Sequence, residues 1–557
     1  MENQRLAEIF NKIADALEFK GENKFKIIAY RKAAQVLSNL TSDIYDYYKE
    51  NKLEDIPGIG EGIAKKIKEY FEKGKVSKLE EVTKDIPDGI LDLLNIPSLG
   101  PKTLYLAYKE LGVKNLEDLE RVINDGSLAK LPQMGEKKVE NIKNGIEIFK
   151  KAQERMPLGK AYLIVNEIIN ELKDMKEVKL IEPAGSFRRM KETVGDIDIL
   201  VMSEEPEKVM ERFVNLKIVE RVLAKGDTKS SIITNQKIQV DLRVIKKESW
   251  GAALQYFTGS KAHNIKLRGI AKNLGYKINE YGIFKDDKYI CGSDEKEVYE
   301  KLGLQYIPPE LREDLGEIEL ALKNNLPEIV DYANFPGDLH IHSNYSDGSN
   351  SIEEIVKEAI KYNYKFVAIA DHSRSAKYAG GLSIDELIKR NKEIDEIQKK
   401  YPNIKILKAM EVDILGDGSL DYPDEILKQL DIVIAAIHTG LKKEPEKRIL
   451  KAMENPYVKI IAHPTGRLIS SRESYSIDLE KIFKKAAERN IALEINSYYD
   501  RLDLNDYNCR KAREYNVKMA IGTDSHNVES MWQIKLGIGV ARRAWLSKKD
   551  IYNFQIL

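Results

Sequence analysis

Cysteine is nearly missing from this chain: 557 residues hold two, Cys291 and Cys509, both outside any Cys-x-x-Cys spacing. That excludes a disulfide framework and a cysteine-built zinc module, and it fits a reducing compartment. Net charge is missing too, with 90 Lys and Arg against 90 Asp and Glu. Bulk electrostatics therefore give no pull on nucleic acid, and any such contact must rest on local patches or backbone donors. No apolar run approaches the ~20 residues of a membrane-spanning helix. The N-terminal stretch, charged from Glu2 onward, has no signal-peptide character. A soluble cytoplasmic protein without membrane contact is expected. No heptad pattern suggests a coiled coil, and a monomer is expected. What the chain does have is length, enough for about three to five domains, and oddly placed histidine. Only 7 histidines occur, yet all but His263 lie from His340 onward, nearly all ending a short apolar run.

Residues 1–150 read as helical, with apolar positions three and four apart (Ile9, Ile13, Leu17; Ile27, Ala33, Val36, Leu37) and no strand-like run. The period then changes. Val178–Ile181, Ile197–Met202, Ser231–Thr234 and Ile238–Ile245 read as strands, and 250–316 mixes helix with short strands. The Asn- and Pro-bearing segment 317–335, which runs into Pro336-Gly337, is expected to be a linker. From 336 on, apolar strands alternate with amphipathic helices: Phe366–Ala370, Ile404–Ala409, Ile432–Ile437, Val458–Ala462, Ala492–Ile495 and Val517–Ile521. That alternation predicts parallel strands in a barrel or doubly wound sheet.

Three segments share one design: Ile56-Pro57-Gly58-Ile59-Gly60, Ile96-Pro97-Ser98-Leu99-Gly100 and Leu131-Pro132-Gln133-Met134-Gly135. Each precedes a lysine-bearing helix. Glycine lets a phosphate approach the backbone, and the free N–H groups of a helix start can hold it. Gly58, Gly60, Gly100 and Gly135 are the candidate DNA contacts. The segments resemble helix-hairpin-helix motifs, which grip phosphates without reading sequence.

The middle of the chain carries Gly185-Ser186-Phe187-Arg188-Arg189, then Gly195-Asp196-Ile197-Asp198-Ile199-Leu200, and later Gln239-Val240-Asp241-Leu242-Arg243. Asp196 and Asp198 alternate along a strand and so share a face. With Asp241 on a neighbouring strand, three carboxylates can hold two Mg²⁺ ions for in-line displacement at a triphosphate. This stretch resembles the nucleotidyltransferase palm of the DNA polymerase beta family, family X. Tyr256-Phe257-Thr258-Gly259-Ser260, Asn264, Arg268 and Asn279-Glu280-Tyr281-Gly282 resemble its thumb. The resemblance implies that Asp196 and Asp198 bind both metals, and that Asp241 binds the catalytic one and helps deprotonate the primer 3′-hydroxyl. It implies nucleotide contacts at Arg155, Gly185, Ser186, Arg189, Gly195, Tyr256, Phe257, Gly259 and Asn264, and a DNA contact at Arg268. It also places Lys66 at the family's Schiff-base lysine for removing deoxyribose phosphate, with Lys26 and Tyr30 on the phosphate side and Lys65 and Lys68 crowding the amine. Gln239 stands where relatives have an arginine, Lys261 where they have an acid, and Gly62 where they have another lysine.

Beyond 336 the candidate ligands are Asp338-Leu339-His340-Ile341-His342, Tyr345-Ser346-Asp347-Gly348, Asp371-His372, Glu411, His438, His463-Pro464 and Asp524-Ser525-His526. All lie at or just past expected strand C-termini, which form the functional rim of a parallel barrel. The series resembles a PHP (polymerase and histidinol phosphatase) domain. The resemblance implies nine ligands for up to three Mn²⁺ or Zn²⁺ ions: His340, His342, Asp347, His372, Glu411 as the bridge, His438, His463, Asp524 and His526. Asp371 would orient a neighbouring ligand, and Arg374 and Arg467 are candidate phosphate clamps.

The expected architecture is therefore multidomain. A helical DNA-binding domain (1–80) and a helical fingers-like domain (81–150) precede an α+β palm (151–247) and thumb (248–316). The linker (317–335) then leads to an α/β, distorted TIM-like PHP barrel (336–557). The expected activity is short-gap DNA synthesis from deoxynucleoside triphosphates on primed or gapped DNA. A metal-dependent 3′→5′ exonuclease accompanies it, with abasic-site cleavage or a lyase as extensions. Two rivals stay open: a small-molecule phosphoesterase fused to a nucleotidyltransferase, and a non-catalytic DNA-bridging scaffold.

Overall fold

The computed structural model describes residues 2–39, 44–56, 58–87, 89–96, 98–132, 134–469 and 471–556. Pro57, Pro97 and Gln133 of the three hairpins lie outside these. The chain forms two compact units, one built on its first 153 residues and one on most of the rest.

The first unit is helical among its described residues, as the three-and-four spacing requires. It holds two apolar cores. One runs from Leu6 to Val82 and the other gathers Phe19 with Ile90 to Phe149. The three hairpins are one turn repeated: Ile59 N–H donates to the Ile56 carbonyl (2.9 Å), Leu99 to Ile96 (3.0 Å) and Met134 to Leu131 (3.1 Å). Gly58 takes φ +95°, and a Cβ there would meet Val36 at 3.0 Å. Ser98 adopts the same left-handed region at φ +69°. The second hairpin thus keeps the backbone of the first while carrying a side chain that favours it less.

In the second unit the palm is a five-stranded sheet in the order Leu180–Pro183, Asp196–Met202, Gln239–Ile245, Lys229–Thr234, Val219–Lys225. Helices Leu158–Leu172 and Pro206–Val214 cover its apolar face. Val219–Lys225, absent from the sequence reading, is an edge strand exposed along nearly its whole length, so it has no apolar alternation to read. The thumb packs helices Trp250–Thr258, Lys261–Asn273 and Glu295–Lys301 around a three-stranded antiparallel sheet. The expected linker is ordered: it contains the helix Glu317–Leu322, whose Ile318 and Ala321 enter the thumb core. Val330 and Phe335 join the core that palm and barrel share.

The barrel has seven parallel strands in chain order: Gly337–Ile341, Phe366–Ile369, Lys405–Asp413, Ile432–Ala436, Val458–Ile461, Ala492–Asn496 and Met519–Gly522. The first and last strands approach closure, with His342 N–H donating to the Ser525 carbonyl (2.9 Å) and Asp524 N–H to the His340 carbonyl (2.8 Å). Palm and barrel are fastened by stacking of Tyr162 on Trp532 (4.5 Å) and by the Arg467–Glu192 ion pair (2.7 Å).

Candidate active sites

In the palm, parallel pairing sets Asp198 directly opposite Asp241 and Asp196 opposite Gln239. Gly185 lies against this pair with φ +61°, and a Cβ there would come within 2.7 Å of Asp198 Oδ2. Burial, then the nearby Asp196 and Asp241 charges, push the Asp198 carboxyl up to about 6. Burial also raises Asp241, but hydrogen bonds from Lys229, Gln239 and Ser231 outweigh it and hold this carboxyl below its usual range. Lys229 Nζ is 2.7 Å from Asp241 Oδ2, and Gln239 Nε2 donates to Oδ1 (2.9 Å). The cation missing at Gln239 is therefore supplied by the adjacent strand, a cross-strand relation that a linear reading does not reveal.

Other palm and thumb candidates are engaged within the protein. Arg155 donates to the Thr193 hydroxyl (3.0 Å) and carbonyl (2.7 Å), and a Cβ on Gly195 would sit 3.2 Å from its Nη1. Arg189 pairs with Glu313 (3.0 Å) and donates to the Thr258 carbonyl (2.6 Å). Arg543 of the barrel domain binds the same Glu313 (2.9 Å) and the Arg189 carbonyl (2.8 Å). Asn264 accepts from Gln255 (2.7 Å) and donates to the Tyr256 carbonyl (2.8 Å), which fixes the Tyr256-Phe257 segment. Phe257 lies under the Arg243 guanidinium at 4.5 Å. Gly259, at φ +69°, packs beside Arg189, and Arg268 is exposed. Ser186 follows Gly185 on the short helix Gly185–Arg188. Beneath them Glu295 takes both Arg188 nitrogens (2.8 Å each) and Arg312 (2.6 Å) in a buried network.

In the first unit Lys66 Nζ donates to the Gly62 carbonyl (2.9 Å) and stands 5.7 Å from the Tyr30 ring. Partial burial, then the Lys78 charge, lower its pKa. Lys65, by contrast, is drawn to Glu61 (2.6 Å), and Lys26 reaches Glu22 at 3.5 Å. Gly60 and Gly100 each cap the start of a helix, and Gly135 accepts from Lys138 N–H (2.9 Å) at the start of a third.

The barrel rim gathers its candidates more tightly than the palm. Three groups each bring their ligand atoms within 4.8 Å of one another: His342, Asp347, His372 and His526; His340, His342 and Asp524; and His372, Glu411 and His438. His463 Nε2 lies 2.9 Å from Glu411 Oε1, outside those groups. Buried His340 Nε2, His342 Nδ1 and Asp347 Oδ1 have no hydrogen-bond partner, and His372 Nδ1 and Glu411 Oε2 stand 2.9 Å apart without hydrogen-bond alignment. Orphaned buried donors and acceptors are costly unless something binds them. Imidazole and carboxylate together suit divalent transition metals. The residue set fits metal ions.

The electrostatics agree. Burial lowers the His438 pKa, yet Glu411 and Asp413 outweigh it and lift it to about 9. His342 is pushed down to about 4 by burial and by its neighbours His526 and His372. His463 also falls to about 4, by burial and the Arg501 charge. Glu411 is desolvated, but His438 and His340 hold it well below the carboxylate range.

Several partners escaped the sequence reading. Glu494 accepts at His340 Nδ1 (2.7 Å) and from His463 N–H (2.7 Å). Asp413 fixes His438 through Nδ1 (2.6 Å). Both had a signal: Glu494 interrupts the apolar run Ile491–Ile495, and Asp413 alternates with Glu411 on one strand face. Arg501 points toward Asp524 (3.7 Å), and its buried Nη1 has no partner. Asp371 accepts from Glu411 N–H at its carbonyl (3.0 Å). It anchors Ser343 and Ser346, inside the His342–Asp347 loop, and pairs with buried Arg390. Arg374 pairs with Asp421 (3.1 Å) and Arg467 with Glu192 (2.7 Å).

Residues 155–264 match the DNA polymerase beta palm family and 253–313 the DNA polymerase beta thumb. Residues 1–76 match a helix-hairpin-helix domain, 90–147 a SAM-like helix-hairpin-helix tandem, and 338–498 the PHP domain. These, with the barrel, define a beta-type nucleotidyltransferase joined to a PHP metal centre. The chain is 39% identical over 565 residues to the DNA polymerase/3′-5′ exonuclease PolX of Bacillus subtilis (strain 168), spanning 100% of this chain and 98% of the relative. It belongs to the family X DNA polymerases that carry a C-terminal PHP domain. The PHP half alone is 31% identical over 239 residues to a probable phosphatase of Thermoanaerobacter sp. (strain X514), 39% of this chain and 90% of that protein. No helix among the described residues is long and apolar enough to cross a membrane. Polymerase and PHP domains imply dependence on divalent metal, and binding of DNA and deoxynucleoside triphosphates.

Proposed function

We propose that this chain is a DNA repair polymerase that fills short gaps and trims 3′ ends with its PHP domain. Full-length identity to a DNA polymerase/3′-5′ exonuclease is the observation that carries the reading. In the palm, Asp196, Asp198 and Asp241 would hold Mg²⁺, which when bound brings the primer oxygen to the α-phosphate and offsets developing charge. Asp241, kept ionised by Lys229 and Gln239, takes the primer hydroxyl proton. Arg189 exchanges Glu313 for the triphosphate, and Tyr256 and Phe257 pack the sugar.

In the barrel, the nine-residue set His340, His342, Asp347, His372, Glu411, His438, His463, Asp524 and His526 would hold up to three ions, Mn²⁺ favoured over Zn²⁺. Bound there, such ions would supply an activated water for attack on a phosphodiester. Glu494 and Asp413 orient His340 and His438 by their Nδ1 atoms, which frees each Nε2 for a ligand role. Arg501 receives phosphate charge. Lys66, with its lowered pKa, is the group for deoxyribose-phosphate removal. The hairpins, Lys26 and Arg268 hold the DNA backbone. The reading has a cytoplasmic monomer, a location consistent with two isolated, buried cysteines. A second reading, small-phosphoester hydrolysis by the barrel, has one support, its likeness to a probable phosphatase.

The test is 5′-labelled one-nucleotide-gapped DNA with Mn²⁺, with and without deoxynucleotides. Primer extended in the first lane and shortened in the second is expected. Extension without shortening would remove the exonuclease, and a primer unchanged in both would remove the DNA-enzyme reading.

A further inference from the structure

The turn that follows His372 carries features that neither active site uses. Lys377–Ala379 form a single 3₁₀ turn, tied down by Ala376 N–H to the Ser373 carbonyl (3.0 Å), Ala379 N–H to Ala376 (2.9 Å) and Gly381 N–H to Ala376 (3.1 Å). Ala376 and Ala379 are buried, while Lys377 and Tyr378 face water. Tyr378 keeps 70% of its surface exposed. Among the described large apolar side chains only Phe25 is more exposed. Single exposed aromatics are ordinary on protein surfaces. This one differs in two respects. Its turn is pinned by two buried alanines, so the ring is held out on a fixed base. Its ring centroid also lies 6.4 Å from that of His372, which belongs to two of the candidate ligand groups.

A ring and an adjacent ammonium are the pairing that single-stranded nucleic-acid sites use, with the ring taking a base and the cation a phosphate. We propose that Tyr378 is a stacking platform for the terminal nucleobase of a single DNA strand, with Lys377 on the neighbouring phosphate. The inference rests on the nuclease reading of the barrel and adds its specificity: sequence-tolerant capture of an unpaired 3′ end. Stacking needs the ring face and not the hydroxyl, and an unpaired terminal base is free to swing onto it where a paired one is held by its complement.

The test compares the full-length protein with Tyr378→Ala and Tyr378→Phe in Mn²⁺. The substrates are 5′-labelled single-stranded oligonucleotides ending in a normal or an abasic 3′ nucleotide. Tyr378→Ala is expected to raise KM for the normal end about 5- to 100-fold, the range of one base–aromatic stack. Tyr378→Phe should stay within about twofold of wild type. The wild type should lose the same factor on the abasic end, and Tyr378→Ala should not distinguish the two ends. A nuclease whose Tyr378→Ala variant keeps the wild-type KM, or still prefers the normal end, would overturn the platform alone. A wild type that degrades neither oligonucleotide would overturn the nuclease reading beneath it.

Discussion

Replacing Gly185 by alanine tests the palm geometry at its tightest point. A Cβ there would stand 2.7 Å from Asp198 Oδ2, where ordinary contact begins near 3.4 Å, so the carboxylate must retreat by about 0.7 Å. Asp198 sits on an inner strand of the sheet, paired on both sides, so the strand itself cannot follow. The φ of +61° adds about 1–2 kcal/mol of backbone cost for any L residue. A misplacement approaching 1 Å costs on the order of 100-fold in rate. Gly185→Ala should therefore slow single-turnover gap filling about 100-fold at saturating deoxynucleotide. The same preparation should shorten the primer at a rate within about twofold of wild type. Gap filling within about threefold of wild type would refute the claim that Gly185 sets the position of Asp198.

Three further outcomes follow from the structure. Glu295→Ala leaves Arg188 and Arg312 without their shared carboxylate, and removing one partner of a buried pair costs about 3–5 kcal/mol. Urea-dependent limited proteolysis of the thumb should move by that amount. Burial would raise Glu295, but Arg312 and Arg188 hold it at about 2 against an ordinary 4.5, so this stabilisation is present above pH 4.5 and fades as pH falls toward 2. Chelation should lower the melting temperature of the barrel and Mn²⁺ should restore it, by about 2.7 kcal/mol at a hundred times the dissociation constant. A melt indifferent to chelator would mean that the orphaned histidine nitrogens hold no ion. Lys66→Ala should abolish borohydride trapping on 5′-deoxyribose-phosphate DNA. Trapping that persists in the variant would assign the Schiff base to another lysine.

The barrel was legible because most candidate ligands stand near or just past the end of an apolar strand, and a parallel barrel sends all such ends to one rim. Most expected and observed strands differ by one or two residues at their ends, as with Phe366–Ala370 against Phe366–Ile369, while Ile404–Ala409 runs on to Asp413. Glycine spacing likewise announced the hairpins, and Gly185 with the aspartates announced the palm. What the sequence concealed were relations across the chain. Lys229 reaches Asp241 from the next strand, and Glu313 is shared between Arg189 and Arg543, some 230 positions apart from the latter. The carboxylates that pair with Arg374 and Arg467, Asp421 and Glu192, were equally hidden in the sequence. The 317–335 segment read as a linker because of Asn324, Asn325, Pro327 and Asn334, while four apolar residues, Ile318, Ala321, Val330 and Phe335, anchor it in the neighbouring cores.

The central claim is two independent active sites in one chain, and paired variants on one substrate test it most directly. Asp196→Ala with Asp198→Ala should abolish primer extension and leave Mn²⁺-dependent shortening, whereas His340→Ala with His342→Ala should do the reverse. Loss of both activities in either folded double variant would contradict the account.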